Sequence, residues 1–483
     1  MRLDINFVMM TDKLFKKYNL IVGWAVFAIA LLTYSLTVEP TVSFWDCGEY
    51  IATSAKLEVG HPPGAPFFQM MGAFIAAFAP NTDKIALLVN YMSVLSSAFT
   101  VFFLYFIIVN LAKKIALRSA NTLSVAHTIA VMGSGVVGAL AYTFSDSFWF
   151  NAVEAEVYAM AMLFMSVMFW LGIKWTDSLH EPRGDRWLLL ISLVVGLSFG
   201  VHFLVLLAIP AIGMLYFFNS HYKKNVWNFL LANVVSIAVL LLIFKLILPY
   251  TLAYFGYLEV YFVNSFGMPF NSGTIIAGLT LVAFFFFALR YASQKKKVRL
   301  QTATLCLLFV FIGFSSWLMI PIRSNADTVI NENSPTDARL LLAYYNLEQY
   351  PETHLFYGPM YSDKYAGIDE DYPYQDAKPK YERDYTTGRY IIVNQYKNAQ
   401  VASNRKQMGF LPRMWSPQHA ANYMKLTGQL DFKISEEAYQ EPKLYQFLQQ
   451  IQRQQSITPM PAERYDQFLS DYRDYIEVEK PSF

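Results

Sequence analysis

The sequence contains little cysteine and little charge. Its 483 residues include two cysteines, Cys47 and Cys306, one in an acidic stretch and one in an apolar run. Because they form no CxxC pair and no metal-binding spacing, the composition excludes a disulfide framework. Charged residues make up 15% of the chain and the net charge is +2, so no overall electrostatic field attracts nucleic acid.

Hydrophobic residues, in contrast, make up 55% of the chain, and the mean hydropathy is +0.30. This is too apolar for a soluble chain of this length, and it indicates an all-α polytopic membrane protein. The first apolar run, residues 20–38, is long for the apolar core of a signal peptide, and no small-residue cleavage site follows it. We therefore interpret it as a retained membrane span.

Basic residues set the predicted orientation of the spans. Lys13, Lys16 and Lys17 precede the first run, so the positive-inside rule places the N-terminus in the cytoplasm. Residues 67–78 are too few to cross and are predicted to form an interfacial helix, because a crossing there would move the next lysine cluster outside. Residues 249–271 are predicted to form an external aromatic loop. The apolar runs then predict about nine spans: 20–38, 85–111, 125–144, 157–173, two within 187–218, 226–248, 275–292 and 300–320.

After residue 323 the composition becomes polar and aromatic, and no apolar run reaches the length of a span. We predict a transmembrane domain over 1–323 and an extracytoplasmic region over 324–483. Helical patterns occur over 337–349 and 436–455, without a chemical motif. The region lacks a strong apolar core pattern, so we expect it to be incomplete and to bury little surface alone.

The first external loop, residues 39–66, concentrates ionisable side chains directly after a span. Carboxylates are costly against lipid, so these must face water, a cavity or a partner. Asp46 and Glu49 are three residues apart, and a helical turn would place both carboxylates on one side. One could then act as a general base while the other orients it or holds a metal. An ordinary solvated loop is the alternative, but interleaved aromatic residues and the rigid HPPG ending favour a site.

Further polar residues converge on the same predicted face from other loops. For Glu39 the alternative is a wet helix end, and for Glu154 and Glu156 it is a contact with a helix dipole. His202 is more often a buried structural histidine, and Arg323 is either an interfacial anchor or the bidentate partner of a phosphate. The candidates are Asp46 and Glu49 as catalytic groups, with Glu39, His61, Glu154, Glu156, His202 and Arg323 in supporting roles.

Four segments resemble hallmarks of the GT-C superfamily of membrane glycosyltransferases: EPTVSFWDCGEYIATSAKLEVGHPPGAP, FNAVEAEVYAM, GLSFGVHFLVLLAIP and IRSNADTVINENSP. They are more similar still to a large bacterial membrane family known as a domain of unknown function, which is related to a eukaryotic protein O-mannosyltransferase. The resemblance covers about residues 15–335, and the first segment is its specific part. Members of that family continue into further spans, so we expect the chain to end inside a longer arrangement.

The resemblance implies a GT-C-like fold and inverting transfer of a sugar from a polyprenyl-phosphate donor to an external hydroxyl of a protein or glycan. It implies that an acid of the first outer loop is the base, with Asp46 first and Glu49 second. In this enzyme hypothesis, Arg323 and His202 are the residues that bind the donor phosphate. It places the chain in a bacterial inner membrane, among membrane lipids. No metal ligand is assigned, and a divalent cation is left open. A transporter or flippase of a lipid-linked or anionic solute, and a non-catalytic assembly subunit, stay open as alternatives.

Overall fold

The computed structural model describes residues 10–119, 122–350, 354 and 356–481. The chain divides into two compact units, Met1–Gln349 and Tyr350–Phe483. Residues that follow 323 remain with the first unit because they return to its acidic loop, where Val59 and Asn331 form a parallel β-bridge. The division therefore falls later in the chain than the 323/324 boundary proposed from the sequence.

The first unit is built from helices. In chain order they are α1 (Asp12–Ser35), α2 (Cys47–Lys56), α3 (Pro66–Ala76), α4 (Ile85–Ser119), α5 (Val125–Thr143), α6 (Asp146–Ala152), α7 (Val157–Asp177), α8 (Arg186–Ser198), α9 (Ala208–Asn219), α10 (Val226–Leu241), α11 (Leu248–Phe266), α12 (Ser272–Gln294), α13 (Val298–Phe314), α14 (Met319–Ser324) and α15 (Ala338–Tyr345). Polar side chains begin several of them: Thr11, Ser124 and Asn225 each accept a backbone N–H in the first turn of the helix that follows.

Over the described residues, seven helical segments are long and apolar enough to cross a membrane. They are Asp12–Ser35, Thr82–Arg118, Val125–Thr143, Val157–Asp177, Val226–Phe266, Ser272–Gln294 and Val298–Ser324. Three shorter apolar helices, Pro66–Ala76, Arg186–Ser198 and Phe203–Asn219, lie where the sequence predicts the interfacial helix and the hairpin of two short spans. The prediction of an all-α polytopic membrane protein is confirmed, and the count of nine spans stays a prediction.

The external loop predicted at 249–271 is wrong for most of its length. Leu248–Phe266 forms α11, which continues α10 through a π-helical turn at Leu242–Ile247. Pro249 lies just after the π-helical turn, and the altered backbone hydrogen bonding of that turn accommodates the missing N–H of the proline. Helical spacing, rather than loop composition, was the informative signal, since the tyrosines recur every three or four residues: Tyr250, Tyr254, Tyr257 and Tyr261.

Helices α8 and α13 of the first unit approach each other closely where two glycines face each other. A Cβ on Gly196 of α8 would lie 2.1 Å from the carbonyl oxygen of Val310, and one on Gly313 of α13 would lie 2.4 Å from the nitrogen of Leu197. Such contact between backbones is typical of helices that pack inside membranes. The other main packing centre is α4, which contacts α1, α5 and α7.

The second unit consists of short antiparallel strand pairs and three helices. The strands are β1 (Gly358–Pro359), β2 (Tyr374–Gln375), β3 (Tyr381–Asp384), β4 (Arg389–Ile392), β5 (Gln400–Val401), β6 (Met408–Gly409), β7 (Phe432–Ile434) and β8 (Ile476–Val478). The pairs are β1 with β6, β2 with β5, β3 with β4, and β7 with β8. The helices are α16 (Ala420–Thr427), α17 (Pro442–Ile457) and α18 (Ala462–Asp471).

This unit has a buried core of its own, contrary to the expectation that it buries little surface. Tyr361, Tyr465, Phe432 and Leu469 are all buried in one cluster. The core escapes sequence analysis because its residues are aromatic and are distributed over strands and helices too short to show a period.

Candidate active site

The acidic loop brings three ionisable side chains together at the start of α2. The ring nitrogen Nδ1 of His61 lies 2.9 Å from Glu49 Oε2, and the backbone N–H of His61 donates to Glu49 Oε1 at 2.6 Å. The other ring nitrogen, Nε2, lies 3.7 Å from Asp46 Oδ2. The Asp46 side chain is 56% exposed, whereas those of Glu49 and His61 are 27% and 25% exposed. Asp46 is therefore the more accessible of the two carboxylates to a substrate.

Local backbone geometry explains why Asp46 remains accessible. Asp46 is the N-cap residue of α2, yet its side chain makes no capping hydrogen bond to the helix. Trp45 precedes it with φ of 60°, a left-handed conformation that non-glycine residues adopt rarely and that tends to occur at functional sites. α2 ends at Lys56, the left-handed residue Leu57 follows as its C-cap, and the chain then returns to place His61 beside the first turn.

One hydrogen bond and one glycine allow the returning chain to lie close to α2. The Tyr344 hydroxyl, from α15, donates to the Gly60 carbonyl at 2.6 Å. A Cβ on Gly60 would lie 2.5 Å from Glu49 Oε1, so a larger residue would push the carboxylate away from the His61 N–H. The close approach of His61 to Glu49 therefore depends on a glycine at position 60.

Glu49 and His61 stabilise each other's charged forms. Burial raises the pKa of Glu49, but the hydrogen bonds from the His61 ring and backbone outweigh it and hold the pKa below its usual value. The hydrogen bond to Glu49 raises the pKa of His61 against the effect of burial, and the charges of Glu49 and Asp46 add to the rise. The two residues thus favour an ion pair directly beside Asp46.

We expect this ion pair to give the protein a stability optimum in mildly acidic solution. Because the pKa of His61 is raised in the folded protein, its contribution to the free energy of unfolding is complete below pH 6.5, the ordinary pKa of histidine. That contribution is lost as the pH rises through the pKa that His61 has in the folded protein. Because the pKa of Glu49 is lowered in the folded protein, its contribution to the free energy of unfolding is complete above pH 4.5, the ordinary pKa of glutamate. That contribution is lost as the pH falls through the pKa that Glu49 has in the folded protein. For a half-buried pair the total is about 1 kcal/mol.

His61→Gln should flatten this optimum in a series of melting temperatures measured from pH 4 to 9, since glutamine keeps a hydrogen-bonding side chain but cannot be charged. His180→Gln, at a histidine outside the loop, is the control. A pH dependence that is unchanged in His61→Gln would mean that the pair is not ionised.

Two more acids contact the same loop from the start of α7. Glu154 and Glu156 are both buried. The Ser43 hydroxyl donates to Glu154 Oε2 at 2.5 Å, and the Cys47 sulfur lies 3.7 Å from Glu156 Oε1. Side chains of the loop 39–66 therefore contact the residues before α7. The sequence analysis places polar residues of both segments on the same face of the protein, and these contacts bring the two segments together.

Burial changes the protonation of this second group. It raises the pKa of Glu154, and it raises that of Glu156 to about 7, where the charges of Asp46 and Glu154 add to the effect. Burial and the two glutamates also raise the pKa of the Cys47 thiol. Cys47 is thus a protonated hydrogen-bond donor rather than a nucleophile, and Glu156 changes charge near neutral pH.

Glu39 makes a structural contact at the start of the loop, and Arg323 makes two at the end of α2. Glu39 Oε1 accepts a hydrogen bond from the Thr41 hydroxyl at 2.8 Å. Arg323 donates through Nε to the Leu57 carbonyl at 2.6 Å and through Nη2 to the Lys56 carbonyl at 3.2 Å. Arg323 therefore places its charge at the C-terminal end of α2, where the helix dipole is negative.

His202 is linked to this region through aromatic rings. Its ring lies 5.2 Å from that of Tyr158, and Tyr158 is close enough to Tyr50 to affect the pKa of that buried phenol. The His202 Nδ1 accepts the Leu204 N–H at 3.1 Å, and burial lowers the pKa of the ring. His202 is consequently neutral, with its proton on Nε2, so that it can donate to an anion without supplying charge.

Glu332 is a member of the site that the sequence analysis does not single out. Its N–H donates to the Val59 carbonyl at 3.0 Å beside the bridge to Asn331. Burial and the charge of Glu49 raise the pKa of Glu332. The segment IRSNADTVINENSP contains Glu332 and was the available signal. Across the described parts of the chain, no group of three or more His, Cys, Asp or Glu side chains is arranged to hold a metal ion.

Comparison with known families gives one match in each of the two units. Residues 46–226 match the family described as the protein O-mannosyl-transferase TMEM260 N-terminal domain, and this match begins at Asp46. Residues 351–483 match a family of unknown function, DUF8416. No solved structure matches the chain significantly.

Curated relatives point the same way. The chain is 27% identical over 237 residues to protein O-mannosyl-transferase tmem260 of Dictyostelium discoideum, a match that covers 46% of this chain and 26% of that protein. It is 24% identical over 174 residues to protein O-mannosyl-transferase TMEM260 of Mus musculus, covering 36% of this chain and 22% of that protein. The chain thus spans about a quarter of the length of these relatives. The predicted resemblance to membrane proteins related to a protein O-mannosyltransferase is confirmed.

Proposed function

We propose that the chain is the catalytic part of a membrane glycosyltransferase that moves a sugar from a polyprenyl-phosphate donor to an extracytoplasmic hydroxyl, including Ser and Thr hydroxyls of proteins. The observation that supports this most is the exposed Asp46 carboxylate beside the His61–Glu49 ion pair, at the start of the segment that matches the O-mannosyl-transferase domain. A carboxylate in this position can accept a proton from an acceptor hydroxyl while the pair keeps it oriented.

The proposed step is a direct displacement. The acceptor oxygen attacks the anomeric carbon of the donor sugar as its proton passes to Asp46 Oδ2, and the bond from that carbon to the phosphate oxygen breaks. The electron pair of that bond leaves with the polyprenyl phosphate, and the configuration at the anomeric carbon is inverted. His61 acts as a positioning residue, because Glu49 fixes its ring while Nε2 faces Asp46.

Arg323 and His202 are the proposed donor-binding residues. The guanidinium of Arg323 makes charge-assisted bonds suited to a phosphate, and the neutral His202 ring can donate through Nε2. The two carbonyl contacts of Arg323 hold its guanidinium at the end of α2. Membrane lipids would surround the polyprenyl tail. Protein or glycan acceptors would approach from outside, in a bacterial inner membrane with the N-terminus in the cytoplasm.

A transporter remains the second candidate, because α11 carries the buried acid Glu259. Its Oε1 accepts the Asn271 N–H at 2.5 Å, and Oε2 accepts the Thr274 N–H at 2.9 Å and the Thr274 hydroxyl at 3.0 Å. These contacts satisfy the first turn of α12, which is a structural task. The acids beside the exposed loop, rather than Glu259, are therefore placed for chemistry.

The test of this proposal is a donor panel. The purified full chain in phospholipid nanodiscs is incubated with polyprenyl-phosphate sugars that differ in the sugar, with a Ser/Thr peptide as acceptor, and free polyprenyl phosphate is measured. We expect release from one or more of these donors and none from the matching nucleotide sugars. Movement of an intact donor across a liposome membrane without release would support the transporter and overturn the proposal.

The proposed orientation gives a labelling prediction. Asn81→Cys, in the exposed turn after α3, and Tyr385→Cys, at a 79% exposed site in the second unit, should both react with an impermeant thiol reagent from outside. The buried Cys47 stays in place and Cys306 is replaced by serine. Glu181→Cys, in the predicted cytoplasmic loop, is the control and should react after the membrane is opened. Reaction of Asn81→Cys from the cytoplasmic side alone would show that α3 crosses the membrane.

A further inference from the structure

The second unit contains an open cleft between two of its strand pairs. The cleft has a volume of about 530 Å³, which lies in the range of small-molecule sites. Its lining includes three tyrosines and three polar side chains: Tyr357, Tyr372, Tyr374, Gln375, Ser403 and Arg405. The pairing of β2 with β5 sets Tyr374 and Gln375 beside the strand end that leads to Ser403, and the pairing of β1 with β6 positions Tyr357.

The rings of these three tyrosines are exposed and do not contribute to the buried core of the second unit. Tyr357, Tyr372 and Tyr374 are 46%, 52% and 52% exposed, whereas Tyr361, Tyr365 and Tyr465 fill the core of the same unit. An exposed aromatic face is electron-rich and packs well against C–H groups that carry partial positive charge. Three such rings around one cleft offer that surface from more than one direction.

One of the rings is held rigidly. The guanidinium carbon of Arg405 lies 3.3 Å from the centre of the Tyr372 ring. The Asp369 carboxylate accepts the backbone N–H of Asp371 at 3.1 Å, of Tyr372 at 3.3 Å and of Arg405 at 3.0 Å. Tyr372 and Arg405 are thus fixed to one carboxylate, and a pre-oriented ring loses little freedom when a ligand binds.

The charge of the cleft is largely compensated. Arg405 brings a cation, but its guanidinium covers the Tyr372 ring and its backbone is bound by the anionic Asp369. The remaining polar lining consists of Gln375, Ser403 and the His354 ring, which offer hydrogen-bond donors and acceptors and no carboxylate. This chemistry suits an uncharged polyhydroxylated ligand with an apolar ring face better than a phosphate or an acidic peptide.

We propose that this cleft binds a neutral saccharide, with the pyranose face on Tyr372 or Tyr374 and the hydroxyls on Gln375 and Ser403. The site lies wholly within the second unit. It extends the proposed function, since it would give a sugar-transferring protein a separate place to hold a glycan. Binding is measured without turnover, so failure of either proposal leaves the other to its own test.

The experiment uses the full chain in phospholipid nanodiscs, because detergents with sugar head groups would compete for the cleft. Methyl mannoside, mannobiose, maltose and cellobiose are titrated by saturation-transfer NMR. We expect at least one to bind in the millimolar range or tighter. Tyr374→Ala and Gln375→Ala should weaken its binding about tenfold, as expected for the loss of one stacked ring or one satisfied hydrogen bond. Tyr385→Ala, at an exposed tyrosine outside the cleft, should leave binding unchanged.

A melting temperature that matches the wild type shows that each variant is folded; Tyr374 and Gln375 are exposed, so their loss should not disturb the core. Binding that persists at full strength in both variants overturns the proposal, as does the absence of binding by every saccharide on the panel. Binding of a proline-rich peptide that depends on Tyr374, without saccharide binding, assigns the cleft to a peptide and also overturns it.

Discussion

Asp46→Asn should lower the rate of sugar transfer about 10²- to 10⁴-fold, which is the usual cost of losing a general base. Asparagine keeps the size of the side chain and its place 3.7 Å from His61 Nε2, but it cannot accept a proton at this pH. Donor binding should change little, because the proposed contacts to the phosphate come from Arg323 and His202. The measurement is single-turnover transfer at saturating donor, together with the donor dissociation constant.

The neighbouring acids provide the controls for this prediction. Asp146→Asn removes an exposed acid at the start of α6 and should leave the rate unchanged. Glu49→Gln removes the partner that holds His61, so it should slow transfer less than Asp46→Asn and alter the pH profile of the rate. Near-normal transfer by Asp46→Asn with strong loss in Glu49→Gln would make Glu49 the base. Normal transfer by both variants would show that the acidic loop, residues 39–66, has a structural role and not a catalytic one.

Glu156→Gln should stabilise the protein in neutral and alkaline solution. Because the pKa of Glu156 in the folded protein is about 7, above its usual 4.5, the folded protein holds this proton more tightly than the unfolded chain does. The resulting contribution to the stability of the folded protein is complete below pH 4.5 and is lost as the pH rises through 7. At that pH the buried carboxylate of Glu156 must ionise beside Glu154 and Asp46. A shift of this size corresponds to up to about 3 kcal/mol.

The melting temperatures of Glu156→Gln and the wild type should therefore be compared at pH 5 and pH 8. Both temperatures should lie close together at pH 5, and the variant should melt higher at pH 8. Glu39→Gln is the matched control, because Glu39 is an acid of the same region that is only partly buried. Equal differences at both pH values would show that Glu156 is ionised throughout and that burial does not raise its pKa.

Short-range patterns predicted the parts of the site that lie close together in sequence. The spacing of Asp46 and Glu49 placed both carboxylates on one side of a helical turn, and the structure brings both to His61. The ring contact of His61 could not be derived in the same way, because it depends on a return of the chain stabilised from α15 by Tyr344. Glu332 could not be predicted for the same reason, because the β-bridge between Val59 and Asn331, which are distant in sequence, brings it close to Glu49 and His61.

The fold shows the same division between local and distant information. Long apolar runs predicted the long apolar helices, whereas most of the segment predicted as an external aromatic loop, 249–271, is helical. The π-helical turn at Leu242–Ile247 joins α10 to α11, so that the helix continues past Pro249 to Phe266. The core of the second unit was missed because short strands and helices assemble it from aromatic residues distant in sequence.

The most direct test of the proposed reaction compares the wild type with the Asp46→Asn/Glu49→Gln double variant on the polyprenyl-phosphate sugar that the donor panel selects. Both proteins, in the same nanodiscs and with matched donor occupancy, are sampled over time for free polyprenyl phosphate and for glycosylated acceptor. We predict that the wild type produces both in equal amounts, and that the double variant binds the donor but produces neither above the uncatalysed level. Equal product from the two proteins would contradict the assignment of the chemistry to the acidic loop.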